Sequence, residues 1–386
     1  MNLFFHPGTA VGTVQAPPSK SQAHRLLIAS ALAGETAISL PEEDFCDDLR
    51  ATEEALKVWR QASASAVFPC RESATTLRLM MPLALTRPGR YRFEGTPALM
   101  RRGVSAYEAI FREKGIRLTG GTDFFEAEGS LPAGDYCVDA SLSSQFVSGL
   151  LFALPLLSGD STLRLKGPAV SRPYINLTLD VLARAGIVVR EEAGVFHLSG
   201  GQRYAPIQTE VEGDYSNAAF LDAFNRLGGE VEVTGLQPDS LQGDRIYPLL
   251  FDRLKAGDAT PIDLSHNIDL GPVLFVLAAA LHGGTFTGTR RLAFKESDRI
   301  GALLAELSEF GANFAVSDDA VRIFPAPLHA PSRPLSGHGD HRTVMALSVL
   351  LTRFGGRLEG AEAVSKSFPA FFDRLRQLRL NIEEVR

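Results

Sequence analysis

The chain repeats one pattern of apolar and polar positions. An apolar, helix-like segment ends in glycine, and a short segment with strand character follows immediately. Glycine suits the end of a helix because it lacks the Cβ atom that clashes at positive φ. Six copies are marked by Gly34, Gly89, Gly159, Gly229, Gly284 and Gly356, which lie 55, 70, 70, 55 and 72 residues apart. A chain that only alternates helices and strands need not show such spacing, so the pattern predicts an internal repeat.

A second helix follows the strand in most copies. The predicted second helices span residues 47–59, 104–114, 173–185, 245–255, 298–310 and 368–378. Two further strands are predicted after Gly115, Gly186 and Gly311. Each unit therefore holds two helices and about four strands, and in the first copy the leading strand is predicted at residues 35–40. Six units of this size most simply form two similar α/β domains of three units each.

The last copy is shorter than the others. After its second helix the chain ends in a short tail, residues 381–386, which leaves the unit incomplete. Two strand-like segments near the N-terminus, residues 3–5 and 13–15, have no unit of their own. We expect both to complete the last unit, which would bring the N-terminal residues into the C-terminal domain.

The composition is that of a folded protein and disfavours several functions. Of 386 residues, 45% are hydrophobic and 22% are charged, which allows sizeable cores. The 39 basic and 45 acidic residues give a net charge of −6 without a long basic run, so we expect neither nucleic acid nor a membrane as partner. Cys46, Cys70 and Cys137 form no zinc motif and no disulfide framework. No signal-like segment and no apolar run of about 18 residues occurs, and together these features favour a reducing cytoplasm.

Polar and basic side chains gather at the predicted helix starts of the first half. Lys20 and Ser21 begin the first helix and Arg25 lies one turn further on, where a helix N-terminus attracts phosphate or carboxylate. Residues 143–145 (Ser-Ser-Gln) and 171–174 (Ser-Arg-Pro-Tyr) begin two more helices. Taken singly, serines at helix starts are more often simple caps, and the glycine-rich GxxxxGK[ST] loop is absent.

The second half repeats this theme with more charge. Residues 295–299 (Lys-Glu-Ser-Asp-Arg) and 340–342 (Asp-His-Arg) each precede or begin a helix, and Lys366 lies at another helix entrance. An exposed charged turn is the usual explanation of such runs. Asp269 is different because it stands beside an apolar run, where a carboxylate needs a partner or a proton.

In this order, the motifs resemble those of the 5-enolpyruvylshikimate-3-phosphate synthase family. They are Lys20-Ser21 with Arg25, Ser143-Ser144-Gln145-Phe146, Ser171-Arg172-Pro173-Tyr174, Glu212-Gly213-Asp214, Lys295-Glu296-Ser297-Asp298-Arg299, Asp340-His341-Arg342 and Lys366-Ser367-Phe368-Pro369. The resemblance implies an α/β fold of two similar domains, each an inside-out α/β barrel of three βαβαββ units. Two chain crossings near residues 18–20 and 212–214 would form the hinge. Residues 1–18 and 214–386 would then make one domain, and residues 19–213 the inserted second domain.

The resemblance also implies an activity. The family transfers the enolpyruvyl group of phosphoenolpyruvate to the 5-hydroxyl of shikimate 3-phosphate and releases phosphate, within the shikimate pathway that leads to chorismate and the aromatic amino acids. It uses no metal ion and no organic cofactor. We therefore expect a cytoplasmic, monomeric transferase whose partners are these two small molecules.

The resemblance assigns roles to single residues. The catalytic residues would be Asp269, which takes the 5-hydroxyl proton, with Glu296 and Lys20 for proton delivery and Lys295 as a bridge toward shikimate 3-phosphate. Shikimate 3-phosphate would be bound by Ser21, Arg25, Ser143, Ser144, Gln145, Ser171, Tyr174, Asp269 and Lys295. Phosphoenolpyruvate would be bound by Lys20, Ala74, Arg102, Gln145, Arg299, His341, Arg342 and Lys366.

The chain departs from the family at several positions. His24 stands where Asn is usual, Arg101 replaces an acid, and Gly103 replaces a Pro that commonly follows the phosphoenolpyruvate arginine. In residues 71–75 (Arg-Glu-Ser-Ala-Thr), Ala74 aligns with a glycine at the place where phosphoenolpyruvate lies. The added Cβ should clash with glyphosate, which is slightly longer than phosphoenolpyruvate, so we expect a glyphosate-insensitive enzyme.

Two other functions remain open at this stage. One is UDP-N-acetylglucosamine enolpyruvyl transferase, which shares the Lys-Ser motif but lacks an arginine at the position of Arg25 and generally depends on a loop cysteine. The other is a non-catalytic module that binds a phosphorylated metabolite. The presence of Lys20, Asp269, Glu296 and Lys295 argues against it.

Overall fold

The computed structural model describes residues 1–35, 38 and 40–385, and the chain divides into two units. Unit 1 consists of Met1–Ser19, Pro41–Cys46 and Glu212–Arg386, and unit 2 consists of Lys20–Leu40 and Asp47–Val211. The chain therefore passes between the units near residues 19 and 212. It also makes one excursion that the sequence did not suggest, because the segment Pro41–Cys46 belongs to unit 1.

The secondary structure alternates helices and strands throughout. The helices are α1 (Lys20–Leu32), α2 (Asp47–Gln61), α3 (Ala74–Ala84), α4 (Pro97–Arg102), α5 (Ser105–Glu113), α6 (Ser144–Ala153), α7 (Arg172–Arg184), α8 (Tyr215–Arg226), α9 (Tyr247–Lys255), α10 (Gly271–Ala280), α11 (Arg299–Glu309), α12 (His341–Phe354) and α13 (Phe371–Gln377). The strands are β1 (Asn2–Phe5), β2 (Val11–Gln15), β3 (Ser65–Arg71), β4 (Gly89–Gly95), β5 (Arg117–Gly120), β6 (Phe124–Gly129), β7 (Gly134–Asp139), β8 (Ser161–Lys166), β9 (Val189–Glu192), β10 (Val195–Leu198), β11 (Glu230–Thr234), β12 (Ile262–Asp263), β13 (Gly284–Thr287), β14 (Asn313–Val316), β15 (Ala320–Phe324), β16 (Leu335–Ser336), β17 (Gly356–Glu359) and β18 (Ile382–Val385). All six predicted second helices are present, with ends displaced by at most three residues.

Four sheets share one topology. Their strand orders are β3-β4-β6-β5, β7-β8-β10-β9, β12-β13-β15-β14 and β16-β17-β1-β18. In each sheet the first two strands are parallel, and the helix α3, α6, α10 or α12 connects them. The other two strands pair antiparallel. This is the predicted βαβαββ unit, in which a parallel pair needs a crossover and a hairpin does not.

The N-terminal strand completes the last unit, as expected. β1 lies between β17 and β18, and Leu3 is opposite both Leu358 and Glu384. The expectation for residues 13–15 was wrong, because β2 pairs parallel with β11 instead. The helix α8, which precedes β11, provides the crossover that a parallel pair needs. β1 already fills the place beside β17 and β18.

The first repeat of each unit lacks the predicted hairpin. Only residues 62–64 connect α2 to β3, and only residues 256–261 connect α9 to β12. Both connections are too short for two strands and a turn. Among the described residues, the first repeat of unit 1 contains only two strands, β2 and β11. In the repeat of unit 2, the strand predicted at 35–40 includes Thr36, Ala37 and Ser39, which lie outside the described residues.

The glycines that revealed the repeat serve two purposes. Gly34, shortly after α1, has φ of 82°, and Gly356, the first residue of β17, has φ of 136°; other residues rarely adopt such conformations. Gly89 begins β4 without a positive φ, but a Cβ atom there would lie 2.6 Å from the carbonyl oxygen of Ala64. The periodic glycines therefore reflect backbone conformation at some positions and close packing at others.

Apolar helices form the interior of each unit. Because these helices are packed tightly, the polar residues at their ends are also held in place. Nine of the ten residues of α10 are buried, as are ten of the eleven in α3. Such helices cannot shift without exposing apolar surface, so their N-terminal turns are held rigidly. Within the described ranges, none of the helices combines the length and apolar character needed to cross a membrane.

Candidate active site

Most of the predicted binding residues of unit 2 lie at the first turns of three helices. α1 begins at Lys20, α6 begins at Ser144 with Ser143 as its cap, and α7 follows Ser171. The Ser143 hydroxyl accepts a hydrogen bond from the amide of Gln145 at 3.3 Å. Ser171 has φ of 54°, which is uncommon for a residue other than glycine and is typical of functional positions. These helix starts carry the hydroxyl and amide donors that bind phosphate.

Lys20 is paired with an acid that sequence reasoning missed. Its Nζ atom donates to Oδ2 of Asp48 at 2.8 Å, and the two side chains are 15% and 8% exposed. Asp48 lies in the first turn of α2, 28 residues further along the chain. The acidic pair Asp47-Asp48 at a predicted helix start was the only signal for it. The ion pair fixes the Lys20 ammonium at the start of α1.

Arg25 is buried and binds neighbouring elements of unit 2. Its guanidinium donates to the carbonyl oxygens of Ser21 and Tyr174, at 2.6 and 3.0 Å, and to the hydroxyls of Thr178 and Ser148, at 2.8 and 3.3 Å. Burial lowers the pKa of Arg25 to about 10. Arg25 thus joins α1 to α6 and α7 and positions two of the predicted binding residues.

Arg78, on α3, is a second arginine that joins helix ends, here the start of α6 and the end of α4, and sequence reasoning missed it. Its Nη1 donates to Oε1 of Gln145 at 2.8 Å, and its Nη2 donates to the carbonyl oxygen of Arg102 at 2.9 Å. Gln145 in turn donates to the Thr75 hydroxyl at 2.8 Å. A lone arginine within the apolar helix α3 was the available signal. Three predicted phosphoenolpyruvate ligands, Gln145, Arg102 and Ala74, therefore lie on segments that Arg78 connects.

Two of the departures from the family have a structural explanation. Gly103 ends α4 with φ of 64°, which proline cannot adopt because its ring fixes φ near −65°. His24 is buried, and its Nδ1 lies 2.7 Å from the Thr52 hydroxyl. From Thr52 the hydrogen bonds continue to Thr76 and then to Ser73, the cap of α3, at 2.7 and 2.8 Å. The imidazole of His24 thereby supports the first turn of α3. This turn carries Ala74, whose side chain is buried, with 4% exposure.

In unit 1, Asp269 is surrounded by cations. Its Oδ1 accepts hydrogen bonds from Lys295 Nζ at 3.2 Å and Arg299 Nη1 at 3.0 Å, and Arg342 Nη2 lies 3.6 Å from Oδ2. Arg342 also donates to the carbonyl oxygen of Asp269 at 2.9 Å. Burial alone would raise the pKa of Asp269, but the three cations outweigh it and hold the pKa well below its ordinary value.

Arg299 binds three carboxylates and is 1% exposed. Its guanidinium donates to Asp340 at 2.7 Å, to Glu296 at 2.6 Å and to Asp269 at 3.0 Å. Burial opposes the charge of Arg299, yet Asp340 and the other carboxylates raise its pKa above the ordinary value. Asp340 also caps α12 through the amide of Arg342 at 2.9 Å. The structure thus brings Asp269, Glu296, Lys295, Arg299 and Arg342 into one cluster.

Two further predicted residues of unit 1, His341 and Lys366, are also buried. His341 is 1% exposed, and its Nδ1 lies 3.8 Å from Asp340 Oδ1. Lys366 is 6% exposed and ends a 3₁₀ turn, Ala361–Lys366. Among the described residues there is no group of three or more His, Cys, Asp or Glu side chains that could hold a metal ion. The two clusters offer hydroxyl and amide donors in unit 2, and a carboxylate among cations in unit 1.

Comparison with known proteins gives one consistent family. The sequence model described as EPSP synthase (3-phosphoshikimate 1-carboxyvinyltransferase) matches residues 6–375. A 3-phosphoshikimate 1-carboxyvinyltransferase of Clostridium kluyveri is 34% identical over 417 residues, which covers 98% of this chain and 97% of the relative. Another, of Methanoculleus marisnigri, is 37% identical over 405 residues, with 93% and 95% coverage.

Solved structures show the same fold. The EPSP synthase of Acinetobacter baumannii has a TM-score of 0.75 at 21% identity, with 99% of this chain and 100% of that chain covered. The enolpyruvyl transferase NikO of Streptomyces tendae has a TM-score of 0.73 at 15% identity, with 100% and 98% coverage. At such identities the likeness concerns the fold alone.

Proposed function

The chain belongs to the EPSP synthase family, and we propose that the two clusters of side chains described above carry out its reaction. That reaction transfers the enolpyruvyl group of phosphoenolpyruvate to the 5-hydroxyl of shikimate 3-phosphate, with release of phosphate. The protein is a transferase of the shikimate pathway.

In the proposed mechanism, protons move at one oxygen, the 5-hydroxyl, and at one carbon, C3 of phosphoenolpyruvate, while C2 exchanges phosphate for the 5-oxygen. The 5-hydroxyl oxygen attacks C2 of phosphoenolpyruvate while its proton passes to Asp269, and C3 receives a proton from Lys20 or Glu296. Loss of phosphate from C2 then returns a proton from C3 to the protein and restores the double bond. General acid and base groups of this kind contribute about 10²–10⁴-fold to rate.

We assign shikimate 3-phosphate to the helix starts of unit 2. Ser21, Ser143, Ser144 and Ser171 provide hydroxyls there, and the first-turn amides of α6 and α7 add donors aligned with the helix dipoles. Gln145, Tyr174 and Lys295 complete the set. Arg25 contributes by holding Ser21 and Tyr174 through their carbonyl oxygens.

Phosphoenolpyruvate carries a carboxylate and a phosphate, for which several cations are assigned. Arg102 and Arg342 are suited to bidentate contacts with such groups, and Lys20 and Lys366 act as point charges. Arg299 is bound to three carboxylates, so its contribution is to orient Glu296 and Asp269. Ala74, Gln145 and His341 lie on the segments assigned to this substrate.

The observation that carries the base assignment is the position of Asp269 among Lys295, Arg299 and Arg342. With its pKa held well below the ordinary value, Asp269 is a weak base in the protein alone. Substrate anions that engage Lys295 and Arg342 neutralise part of this positive charge and raise the proton affinity of Asp269. The base is therefore formed when both anionic substrates are bound, which limits proton transfer to the productive complex.

We propose three further properties. The enzyme works as a monomer in the cytoplasm; its three free cysteines, two of them buried, fit a reducing compartment. It needs no metal ion or organic cofactor, because the proton transfers above use side chains alone. It is insensitive to glyphosate, because Ala74 places a methyl group at the buried first residue of α3.

A phosphate-release assay tests the proposed function. The purified protein is incubated with phosphoenolpyruvate and shikimate 3-phosphate, and each substrate is omitted in turn. Release that requires both substrates supports the proposal. Release with UDP-N-acetylglucosamine in place of shikimate 3-phosphate would establish the alternative transferase. Binding of shikimate 3-phosphate by calorimetry without any turnover would establish a binding module instead.

A further inference from the structure

A second buried carboxyl group lies in the same unit as Asp269, and the reaction proposed above does not use it. Asp244 is 2% exposed and lies in a 3₁₀ turn, Gly243–Ile246, immediately before α9. A buried carboxylate is costly unless it is paired or hydrogen-bonded. Its surroundings therefore indicate what it does.

Asp244 joins two elements that border the proposed base. The Ser216 hydroxyl, near the start of α8, donates to its Oδ2, and the Asn267 side-chain amide donates to its Oδ1 at 3.2 Å. Asn267 precedes the short turn Ile268–Leu270, which carries Asp269. Asp244 thus restrains the backbone that places Asp269.

The turn that carries Asp244 is itself held in place. Gln242 accepts a hydrogen bond from the amide of Tyr215 at 3.0 Å and donates to the carbonyl oxygen of Gly213 at 2.8 Å. The Ser240 hydroxyl accepts from the amide of Gln242 at 3.1 Å. Gln242 thereby ties this turn to the start of α8, which restrains the backbone that carries Asp244.

Two charged groups and two uncharged hydrogen-bond donors face Asp244. Asp269 faces it from the turn before α10 and Arg342 from α12, while Ser216 and Asn267 donate hydrogen bonds. Burial and the negative charge of Asp269 raise the pKa of Asp244 to about 6, against the opposing effects of Ser216, Arg342 and Asn267. Asp244 therefore changes charge near pH 6, whereas Asp269 stays ionised.

We propose that Asp244 is a positioning residue for Asp269, which it holds through Asn267 and whose proton affinity it raises by its own negative charge. The proposal rests on the assignment of Asp269 as the base. When Asp244 is ionised, the nearby negative charge makes Asp269 a stronger base. When Asp244 is protonated, that support is lost and turnover falls.

The pH profile of kcat tests the proposal with three variants. Wild type should lose activity on the acid side with a midpoint near pH 6. Asp244→Asn, which keeps the shape of the side chain but not its charge, should show a low kcat without this acid limb and a nearly unchanged KM. Ser216→Ala should move the midpoint to higher pH, because it removes a hydrogen bond that stabilises the carboxylate. Asn267→Ala should lower kcat even at pH 8, because it releases the turn while Asp244 remains charged.

Asp252→Asn is the matched control for the loss of one negative charge. Asp252 lies on α9 of the same unit, is 64% exposed, and pairs with Arg226 at 2.9 Å. Its profile should match that of wild type. The phosphates of the substrates also titrate near pH 6, and a limb that stays the same in Asp244→Asn and Ser216→Ala would belong to them. That result would overturn the proposal.

A second measurement does not depend on turnover. Carbon-13 NMR of protein labelled at the aspartate carboxyl carbons identifies Asp244 and Asp269 by the resonances lost in Asp244→Asn and Asp269→Asn. The Asp269 resonance should shift with the same midpoint as the Asp244 resonance, and this shift should vanish in Asp244→Asn. An Asp269 resonance that does not move between pH 5 and 8 would refute the coupling.

If the coupling is present but phosphate release fails, the proposed function is wrong while the link between the two carboxyl groups stands. If Asp244→Asn does not fold, Ser216→Ala provides the same comparison through its shifted midpoint.

Discussion

Arg299 Nε donates a hydrogen bond to Asp340 Oδ2 at 2.7 Å, and neither side chain is more than 1% exposed. Breaking a buried ion pair by removing one partner costs about 3–5 kcal/mol. Loss of Asp340 also removes the cap of α12, while Arg299 keeps Glu296 and Asp269 as partners. Asp340→Ala should lower the free energy of unfolding by this amount, measured by urea denaturation. Asp318→Ala, at an exposed pair with Arg290, should change it by less than about 0.5 kcal/mol. A loss below about 1 kcal/mol in Asp340→Ala would show that the pair contributes little, contrary to this expectation.

Lys20 and Asp269 are the residues whose removal should affect turnover most. Lys20→Ala and Asp269→Ala should each lower kcat by about 10²–10⁴-fold, the range for a general acid or base, while circular dichroism shows an intact fold. Lys57→Ala serves as control, because Lys57 is 63% exposed and pairs with Glu53 within its own helix. A variant that keeps more than about a third of wild-type turnover would remove its residue from the mechanism.

Arg78 should determine phosphoenolpyruvate affinity without contacting the reacting atoms. Lysine cannot reproduce the forked contacts to Gln145 and to the Arg102 carbonyl, so Arg78→Lys should raise KM for phosphoenolpyruvate about tenfold. The KM for shikimate 3-phosphate should change less. Arg87→Lys is the matched control, since Arg87 binds the carbonyl oxygens of Trp59 and Ala62 elsewhere in the same unit. Equal changes in both KM values would indicate a general structural effect of Arg78.

Ala74 should decide the response to glyphosate. Overpacking a tight site costs about 1–3 kcal/mol, which corresponds to roughly ten- to a hundredfold weaker inhibition. Ala74→Gly should therefore restore sensitivity, measured as inhibition in competition with phosphoenolpyruvate. If Ala74 serves only to favour the helix, the substitution should lower stability by about 1 kcal/mol and leave inhibition unchanged. Equal inhibition constants, or strong inhibition of the natural enzyme, would disprove the steric explanation.

Asp244 should make the stability of the fold depend on pH. Burial raises its pKa from 3.8 to about 6, so between these values the folded state binds more protons than the unfolded state. The contribution of Asp244 to the free energy of unfolding therefore falls as the pH rises, by about 3 kcal/mol in all at 1.36 kcal/mol per pKa unit. Relative to wild type, Asp244→Asn should gain about that amount between pH 4 and pH 8. The same difference at both pH values would contradict a raised pKa.

Local features of the fold could be predicted from the sequence. Glycine after an apolar segment predicts the end of a helix from the residue itself, and the hairpins after Gly115, Gly186 and Gly311 appear where predicted, as β5–β6, β9–β10 and β14–β15. These features depend on hydrogen bonds between near neighbours and on which face of an element is apolar. The motifs at helix starts likewise showed where binding groups gather, because a helix N-terminus is a local property.

The tertiary structure decided the pairings between distant residues. Lys20 meets Asp48 across 28 positions and Arg78 meets Gln145 across 67. No periodicity in the chain encodes such a partner, because it depends on which helices pack together. For the same reason β2 joins β11 rather than the last unit, since strand partners are chosen by the crossover that connects them. Asp244 is the clearest case. As a sequence position it follows a glycine before a helix, and only burial beside Ser216, Asn267 and Asp269 makes it a titrating group.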